Sequence, residues 1–571
     1  MDTLEIDKTV DRLAAHNDEW ATLPIRRKIQ YLEQLRTKTD EVAERWVKAA
    51  VKAKRIPVDS PLVGEEWMSG PWALLKGVSV LIRTLTSIEK GVTPFAAGAV
   101  HTRPGGQVVV DVFPVTLYDR LLLSGYTAEV WMQPGVTAEN LAENTASFYR
   151  RPSPSGKVAL VLGAGNIASI APLDVLCKMF GEGMVCVLKM NPVNDYLGEF
   201  LEEIFSSLVA DGFVGFAYGG VDVGSYLVAH NEVDEIHITG DYRTYDAIVF
   251  GTGEEGKKRR LRDEPIVTKR VTAELGNVTP TIIVPGPWSD ADIAFQAEHV
   301  VTQKVHNGGF NCVAAQVLVM PEEWDRSADF VAALRSVMKS IPVREPYYPG
   351  AAARQDAALA AHPEAELIDE PGDAQLSRAL ITGLDASRED EYCFTHEFFA
   401  NVTSITSLPG KSAADFLRAA VRFANDSLWG TLGVNLIIHP QTMKELGAVL
   451  EQAIADLRYG CIGINAWIGM GFLLAETSWG AYPGHARNDI RSGTGAAHNS
   501  LLFDKPQKSV VRQPFFPFPR NLAHGEMHFS PKPAWFVTNE QGAVIGRRFT
   551  RFEARPAVTK LPGLFLAALR G

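Results

Sequence analysis

Cysteine is scarce in this chain. The five cysteines among 571 residues (Cys177, Cys186, Cys312, Cys393 and Cys461) form no CxxC pair, have no histidine-rich spacing and are odd in number. A disulfide framework and a structural zinc are therefore not expected, no metal ligands are assigned, and a reducing, cytoplasmic compartment is favoured. Long apolar runs are also missing. No stretch reaches the roughly 18 residues of a membrane-spanning helix, so no membrane partner is expected. The apolar segment 561–569 (LPGLFLAAL) is expected to dock on the protein's own surface. The N-terminal stretch is charged from Asp2 onward and lacks the apolar centre of a signal peptide. Positive charge is not in excess either. The formal net charge is −11, which argues against nucleic acid as a general partner. One basic run, Lys257 to Arg262, sits in a Gly- and Glu-rich stretch at 251–265 and is expected to be a solvated, mobile loop. Internal repeats are absent.

What is present is ordinary globular material. At 46 % hydrophobic and 22 % charged residues, 571 positions exceed one compact core, so two or three domains are expected. Residues 1–95 carry helical apolar spacing. Residues 101–135 turn β-rich (QVVVDVF, AEVWMQ) and suggest strands or a hairpin outside the main sheet. From 157 onward short apolar strands alternate with single helices, the pattern of a parallel, doubly wound sheet. A second alternating region runs from about 313 to 475, with a linker near VPGPWSD at 284–290. The Pro- and aromatic-rich tail from 505 should lie extended over another surface.

Two segments carry chemistry. In VTAELGNVTP, Glu274 ends an apolar strand ahead of Gly276, which can leave a carboxylate at a cleft mouth. In HNGGFNCVAAQ, Cys312 follows Gly308, Gly309 and Asn311, as a nucleophile on a tight turn would. A thiol of ordinary pKa needs backbone N–H groups or a positive neighbour to ionise at neutral pH. On spacing alone, a buried cysteine and a strand-end glutamate are the plainer alternative.

Further motifs change the balance. ELGNVTP, NGGFNC, HEFFANV, FANDSLWGTLGVNLI and GCIGIN, together with Asn166 and Lys189 at the ends of successive strands, occur in the order seen in aldehyde dehydrogenases, and the chain resembles that superfamily. The resemblance implies Cys312 as nucleophile, Glu274 as general base and the Asn166 amide as an oxyanion donor. It also implies NAD or NADP held by Lys189, Gly219, Gly220, Thr239, Gly240, Glu397 and Phe399, with Trp429 in the aromatic position beyond. Departures are Asp241 where a serine is usual, Pro192 where NAD-preferring members often have glutamate, and Ala400 and Asn401 for Gly and Pro. Asp241 either caps the following helix or weakens cofactor binding.

The implied fold class is α/β. A discontinuous Rossmann-like dinucleotide-binding domain (1–100 and 136–284) joins an α/β catalytic domain (285–480) and small β oligomerisation elements (101–135 and 481–571). The implied reaction oxidises an aldehyde to a carboxylic acid through a cysteine thiohemiacetal and thioester. A CoA-linked enzyme using the same cysteine and a catalytically silent paralogue are the alternatives. A homodimer or dimer of dimers is expected, because unpaired β edges and an apolar tail call for cover.

Overall fold

The computed structural model describes residues 3–370, 372 and 375–571. In chain order its strands are β1 (Val100–Thr102), β2 (Val108–Phe113), β3 (Thr127–Met132), β4 (Val158–Leu162), β5 (Val185–Lys189) and β6 (Val214–Ala217). There follow β7 (Glu235–Gly240), β8 (Arg270–Leu275), β9 (Thr279–Ile283), β10 (Ala315–Pro321), β11 (Glu366–Leu367) and β12 (Ala379–Leu384). The last are β13 (Val402–Leu408), β14 (Gly433–Ile437), β15 (Cys461–Ile464), β16 (Trp479–Gly480), β17 (Ala496–His498) and β18 (Pro506–Arg512).

Strands β4 to β8 make a wholly parallel sheet in the order β6-β5-β4-β7-β8. Parallel strands are covered on both faces, and β5 is accordingly buried along its whole length. The strand order reverses between β4 and β7, so a crevice opens beyond their C-terminal ends, the usual ligand site of such sheets. Helices Thr3–Thr22 and Ile25–Ala53 contribute to the core beside this sheet, bringing in Trp20 and Trp46. Pro24, with no N–H to continue the first helix, stands at the cap of the second.

The other large sheet has the order β1-β2-β3-β18-β15-β14-β9-β10-β13-β12-β11. Its central run from β18 to β12 is parallel. The expected boundary near 284–290 falls too late. β9 already belongs to this sheet, between β14 and β10, so the chain crosses between the sheets at 276–278. Local pattern could not show this, because a buried strand of Thr, Pro and Ile fits either sheet equally well.

The segments 101–135 and 505–571 also depart from expectation. β2 and β3 do not stand outside the main sheet: β3 pairs antiparallel with β18, and β18 pairs with β15. The tail buries its own aromatics within the chain. Phe515, Phe516, Trp535 and Phe536 are each no more than 5 % exposed, and Phe536 stacks on His299. Much of the edge and aromatic surface of these segments is thus covered in cis, while β1 stays at the sheet's end and Val115, Leu117, Leu522 and Met527 remain exposed. Helix Gly542–Ala554 packs against helix Val63–Trp67 so closely that a Cβ on Gly64 would lie 2.4 Å from the Gly542 carbonyl carbon. The final helix, Leu561–Ala568, docks on its own chain as expected, through Leu561 and Leu564.

The basic run is a helix, Gly253–Arg262, and not a loop. Glu254 and Glu255 occupy its first turn and Arg259, Arg260 and Arg262 its last, which suits the helix dipole. Lys257 pairs with Glu254, Arg259 with Glu255, and Arg260 with Asp246. No helix among the described residues is long and apolar enough to cross a membrane.

Candidate active site

A cavity of about 950 Å³ runs along the C-terminal ends of β4, β5 and β7 and reaches the turn before β10. Cys312 lines its inner end and is the one cysteine among the described lining residues. The turn that presents it is built from left-handed backbone, with φ of 56° at Asn307, 68° at Gly308 and 82° at Gly309. Glycine adopts this conformation freely; asparagine needs help. Asn307 has that help: its amide donates to the carbonyls of Asn166 and Phe310, and its Oδ1 accepts from Lys54 Nζ at 3.1 Å. Lys54 and the Tyr347 hydroxyl also donate to the Asn166 carbonyl, each at 3.0 Å, and Lys54 is paired with buried Glu66. This clasp ties the loop after β4 to the cysteine turn. The Asn166 side-chain amide gives one of its hydrogens to the Phe310 carbonyl at 2.9 Å, leaving one to offer to the cavity.

Glu274, near the end of β8, is 1 % exposed and lies with Oε1 3.7 Å from Cys312 Sγ, where the thiol donates to it. Its Oε2 has no hydrogen-bond partner. Burial raises its pKa above the ordinary carboxylate value, only partly offset by His498. The thiol is pushed well up too, by burial and then by Glu274 and Glu397, while the backbone N–H of Cys312 itself favours the thiolate. Among the described residues the thiol's side-chain hydrogen-bond partner is Glu274, and that carboxylate is the group placed to take its proton. Glu397 faces the same space, pushed up to about 8 chiefly by burial. It approaches the chain so nearly that a Cβ on Gly276 would stand 1.8 Å from its Oε2, which explains the glycine two residues after Glu274. Phe399 also lines the cavity, held in the left-handed region at φ 46°.

Toward the outer end stand Lys189, Gly220, Thr239 and Gly240. The Lys189 ammonium makes no hydrogen bond or ion pair among the described residues, and burial lowers its pKa. Gly219 is the exception among the expected residues. It does not line the cavity, and its backbone, at φ 131°, turns against Val223. Thr239 directs its hydroxyl to Asp174 at 3.0 Å. Between helices Val221–Ala229 and Tyr242–Phe250 the wall is small and apolar, from Gly224, Val228, Ala247 and Ile248. A Cβ on Gly224 would meet nothing within 4 Å, so this is an open slot of the kind a flat purine ring can enter. Asp241 caps the helix Tyr242–Phe250, accepting the Arg243 N–H at 2.7 Å. Of its two expected alternatives, the capping geometry is the one present, and it places a carboxylate on the cavity wall.

Several residues around the site had little or no local sequence signal: Lys54, Tyr347, Asp174, His237 and His498. Asp174 alone offered a hint, as a single acid in the apolar stretch PLDVLC. Elsewhere His362, Glu391 and Cys393 bring potential ligand atoms within 4.8 Å of one another. There Glu391 already accepts from the Cys393 N–H and pairs with His362 at 2.7 Å, so the group is internally satisfied.

Fold and site together define a two-lobed α/β protein with a thiol–carboxylate pair at the end of a nucleotide-sized cleft. Residues 123–370 match the profile of the aldehyde dehydrogenase family. Superposition on aldehyde dehydrogenase C of Pseudomonas syringae, solved with NAD+ and octanal, gives a TM-score of 0.60 at 16 % identity, covering 90 % of each chain. The NADP complex of the NADP-dependent glyceraldehyde-3-phosphate dehydrogenase of Bacillus halodurans gives 0.57 at 16 %, covering 89 % of this chain and 91 % of that one. Betaine aldehyde dehydrogenase of Vibrio vulnificus is 26 % identical over 201 residues, 35 % of this chain and 37 % of the relative. D-glyceraldehyde dehydrogenase (NADP(+)) of Picrophilus torridus is 24 % identical over 205 residues, 36 % and 38 % of the two chains. The sequence alignments thus span little more than a third of either curated relative. The chain is thus similar to aldehyde dehydrogenases in a profile over residues 123–370 and in its fold.

Proposed function

We propose that the chain oxidises an aldehyde to a carboxylic acid with NAD or NADP as acceptor, and that Cys312 is the nucleophile. The observation that carries this reading is the 3.7 Å contact between the Cys312 thiol and a buried, half-unpartnered Glu274 at the closed end of the cleft. The cleft fits a dinucleotide: the apolar slot would take the adenine, Lys189 the ribose hydroxyls, and Glu397 and Phe399 the far end. A bound nicotinamide would supply the hydride acceptor. The capping carboxylate of Asp241 leaves phosphate recognition at this helix start to neighbouring groups, Thr244 and Lys269 among those lining the cavity.

Glu274 takes the thiol proton, and the sulfur adds to the aldehyde carbon. The free Asn166 amide hydrogen and the Cys312 N–H face the oxygen on which charge develops. Once hydride has left, the acyl group rests on Cys312 as a thioester. Glu274, having passed the thiol proton on to solvent, then draws a proton from water as it attacks, its affinity for protons raised by burial. The same thioester could instead pass its acyl group to CoA; an available base at Glu274 favours water.

A panel of aldehydes assayed with each dinucleotide, with and without CoA, tests the reading. NADH or NADPH formation without CoA is the expected result; a strict CoA requirement would reassign the acceptor. Glu274→Gln should slow both the first formation of reduced cofactor, which needs the thiol deprotonated, and the later hydrolysis of the thioester, each about 10²–10⁴-fold.

A further inference from the structure

Behind Glu274 lies a buried group of ionisable side chains that the mechanism above does not use. β7 and β8 run in register, with His237 opposite Thr272 and Thr239 opposite Glu274. Residues two apart in a strand share a face, so all four side chains project from one side of the sheet. Helix Ile170–Leu176 lays Asp174 onto that face. Its Oδ2 accepts from Thr239 Oγ1 at 3.0 Å, and its Oδ1 lies 3.4 Å from His237 Nε2. From the opposite direction β17 brings His498, whose Nε2 is 2.6 Å from the same Oδ1. His237 in turn holds Thr272 Oγ1 through Nδ1 at 2.9 Å. Trp479 is the cross-strand partner of His498, and its indole N–H faces Glu274.

The arrangement is a largely buried carboxylate between two imidazoles, beside the base. The ionisable groups facing Glu274 are Cys312, His498, Asp174 and His237. Those facing His498 are Asp174 and Glu274; its ring otherwise packs on Phe472. Cys177, three residues after Asp174 at the end of that helix, is a neutral thiol pushed up to about 12 by burial. Asp174 holds a proton on His498 against the pull of burial. A buried imidazolium near a buried carboxylate favours the carboxylate's charged form, whereas burial alone would leave the carboxyl protonated and useless as a base.

We propose that His498, hydrogen-bonded to Asp174, is a positioning residue that keeps Glu274 ready to take the Cys312 proton. This deepens the aldehyde-oxidising reading, in which Glu274 is the base, yet its test needs neither aldehyde nor dinucleotide. The full-length protein is treated with iodoacetamide across pH 5–10, and the rate of Cys312 alkylation is followed by peptide mass spectrometry. The thiol and Glu274 titrate together, so the midpoint belongs to the pair. His498→Gln removes a cation and leaves Asp174 uncompensated; both changes hold protons on the pair more tightly. The expected result is a midpoint about one pH unit higher, roughly tenfold slower labelling at pH 7. In a Glu274→Gln background the same substitution should move the midpoint by less than half as much. His237→Gln, which leaves the Asp174–His498 contact in place, should give a smaller upward displacement and serves if His498→Gln does not fold. An unchanged midpoint in folded His498→Gln, an equal displacement with and without Glu274, or no displacement in His237→Gln as the sole folded variant overturns the proposal. An inert aldehyde panel beside an intact displacement would sink the functional reading and leave this one standing.

Discussion

The two ends of β7 and β8 carry charge in opposite ways. At the N-terminal end Glu235 meets Lys178 at 2.6 Å and Arg270 at 2.9 Å, and Glu182 pairs with the same two cations. Two carboxylates answer two cations, and Glu182 is held down at about 2. At the C-terminal end Glu274 faces a thiol, Glu397 shares the cavity, and each has an oxygen without a partner. Burial raises both carboxyls. Charges that neutralise one another hold strands together; charges left unanswered store proton affinity for chemistry. The crevice at the reversal of strand order is where the second arrangement stands.

The largest effect should come at the unanswered end. Cys312→Ser is expected to cut aldehyde turnover by about 10³-fold or more while leaving the melting temperature and dinucleotide binding nearly unchanged. Comparable turnover in steady-state assays would end the distinction between the two ends. Next comes the balanced end. Glu235→Gln leaves Lys178 buried with one partner fewer and should cost about 3–5 kcal/mol of stability in urea unfolding. A loss below about 1 kcal/mol would show that the network adds little.

Glu397 sharpens the contrast through pH. Its folded pKa, about 8, lies above the ordinary value of 4.5, so between these two the native state binds more protons than the unfolded chain. Its contribution to stability is therefore present at low pH and is lost as pH rises through that window. Glu397→Gln, which cannot ionise, should gain on the wild type by up to a few kcal/mol between pH 5 and pH 9. Thermal melts run in parallel check this, and curves that stay parallel would contradict it. The smallest effect belongs to the exposed helix Gly253–Arg262. Glu254→Gln breaks its pair with Lys257 and should change stability by less than about 0.5 kcal/mol. A cost above 1 kcal/mol would mean the helix packs on something more than solvent.

Much of the site was legible because its residues announce themselves locally. Cys312 follows a glycine pair that the turn requires, and Glu274 precedes a glycine that Glu397 crowds. Lys189 and Asn166 stand at or just beyond strand ends that apolar runs mark plainly. Gly220 and not Gly219 lines the cavity, and a Tyr-Gly-Gly sequence does not say which glycine faces it. Asp174 and His498 are 324 residues apart, and no spacing rule connects them. The basic run was read from its charge as a loop, although its acid-first, base-last order is that of a short helix.

By itself the sequence determined the elements, the parallel sheet around the nucleotide-sized crevice and the thiol with its carboxylate, since each rests on periodicity or on a turn that few residues can make. Tertiary structure alone decided that β9 joins the larger sheet, that the strands of 101–135 and the tail from 505 close onto their own chain, and that two histidines and an aspartate gather behind Glu274. The reason is common to all three. Each depends on which buried surface meets which across long stretches of chain, and apolar strands and lone polar residues carry no mark of a distant partner until packing selects one.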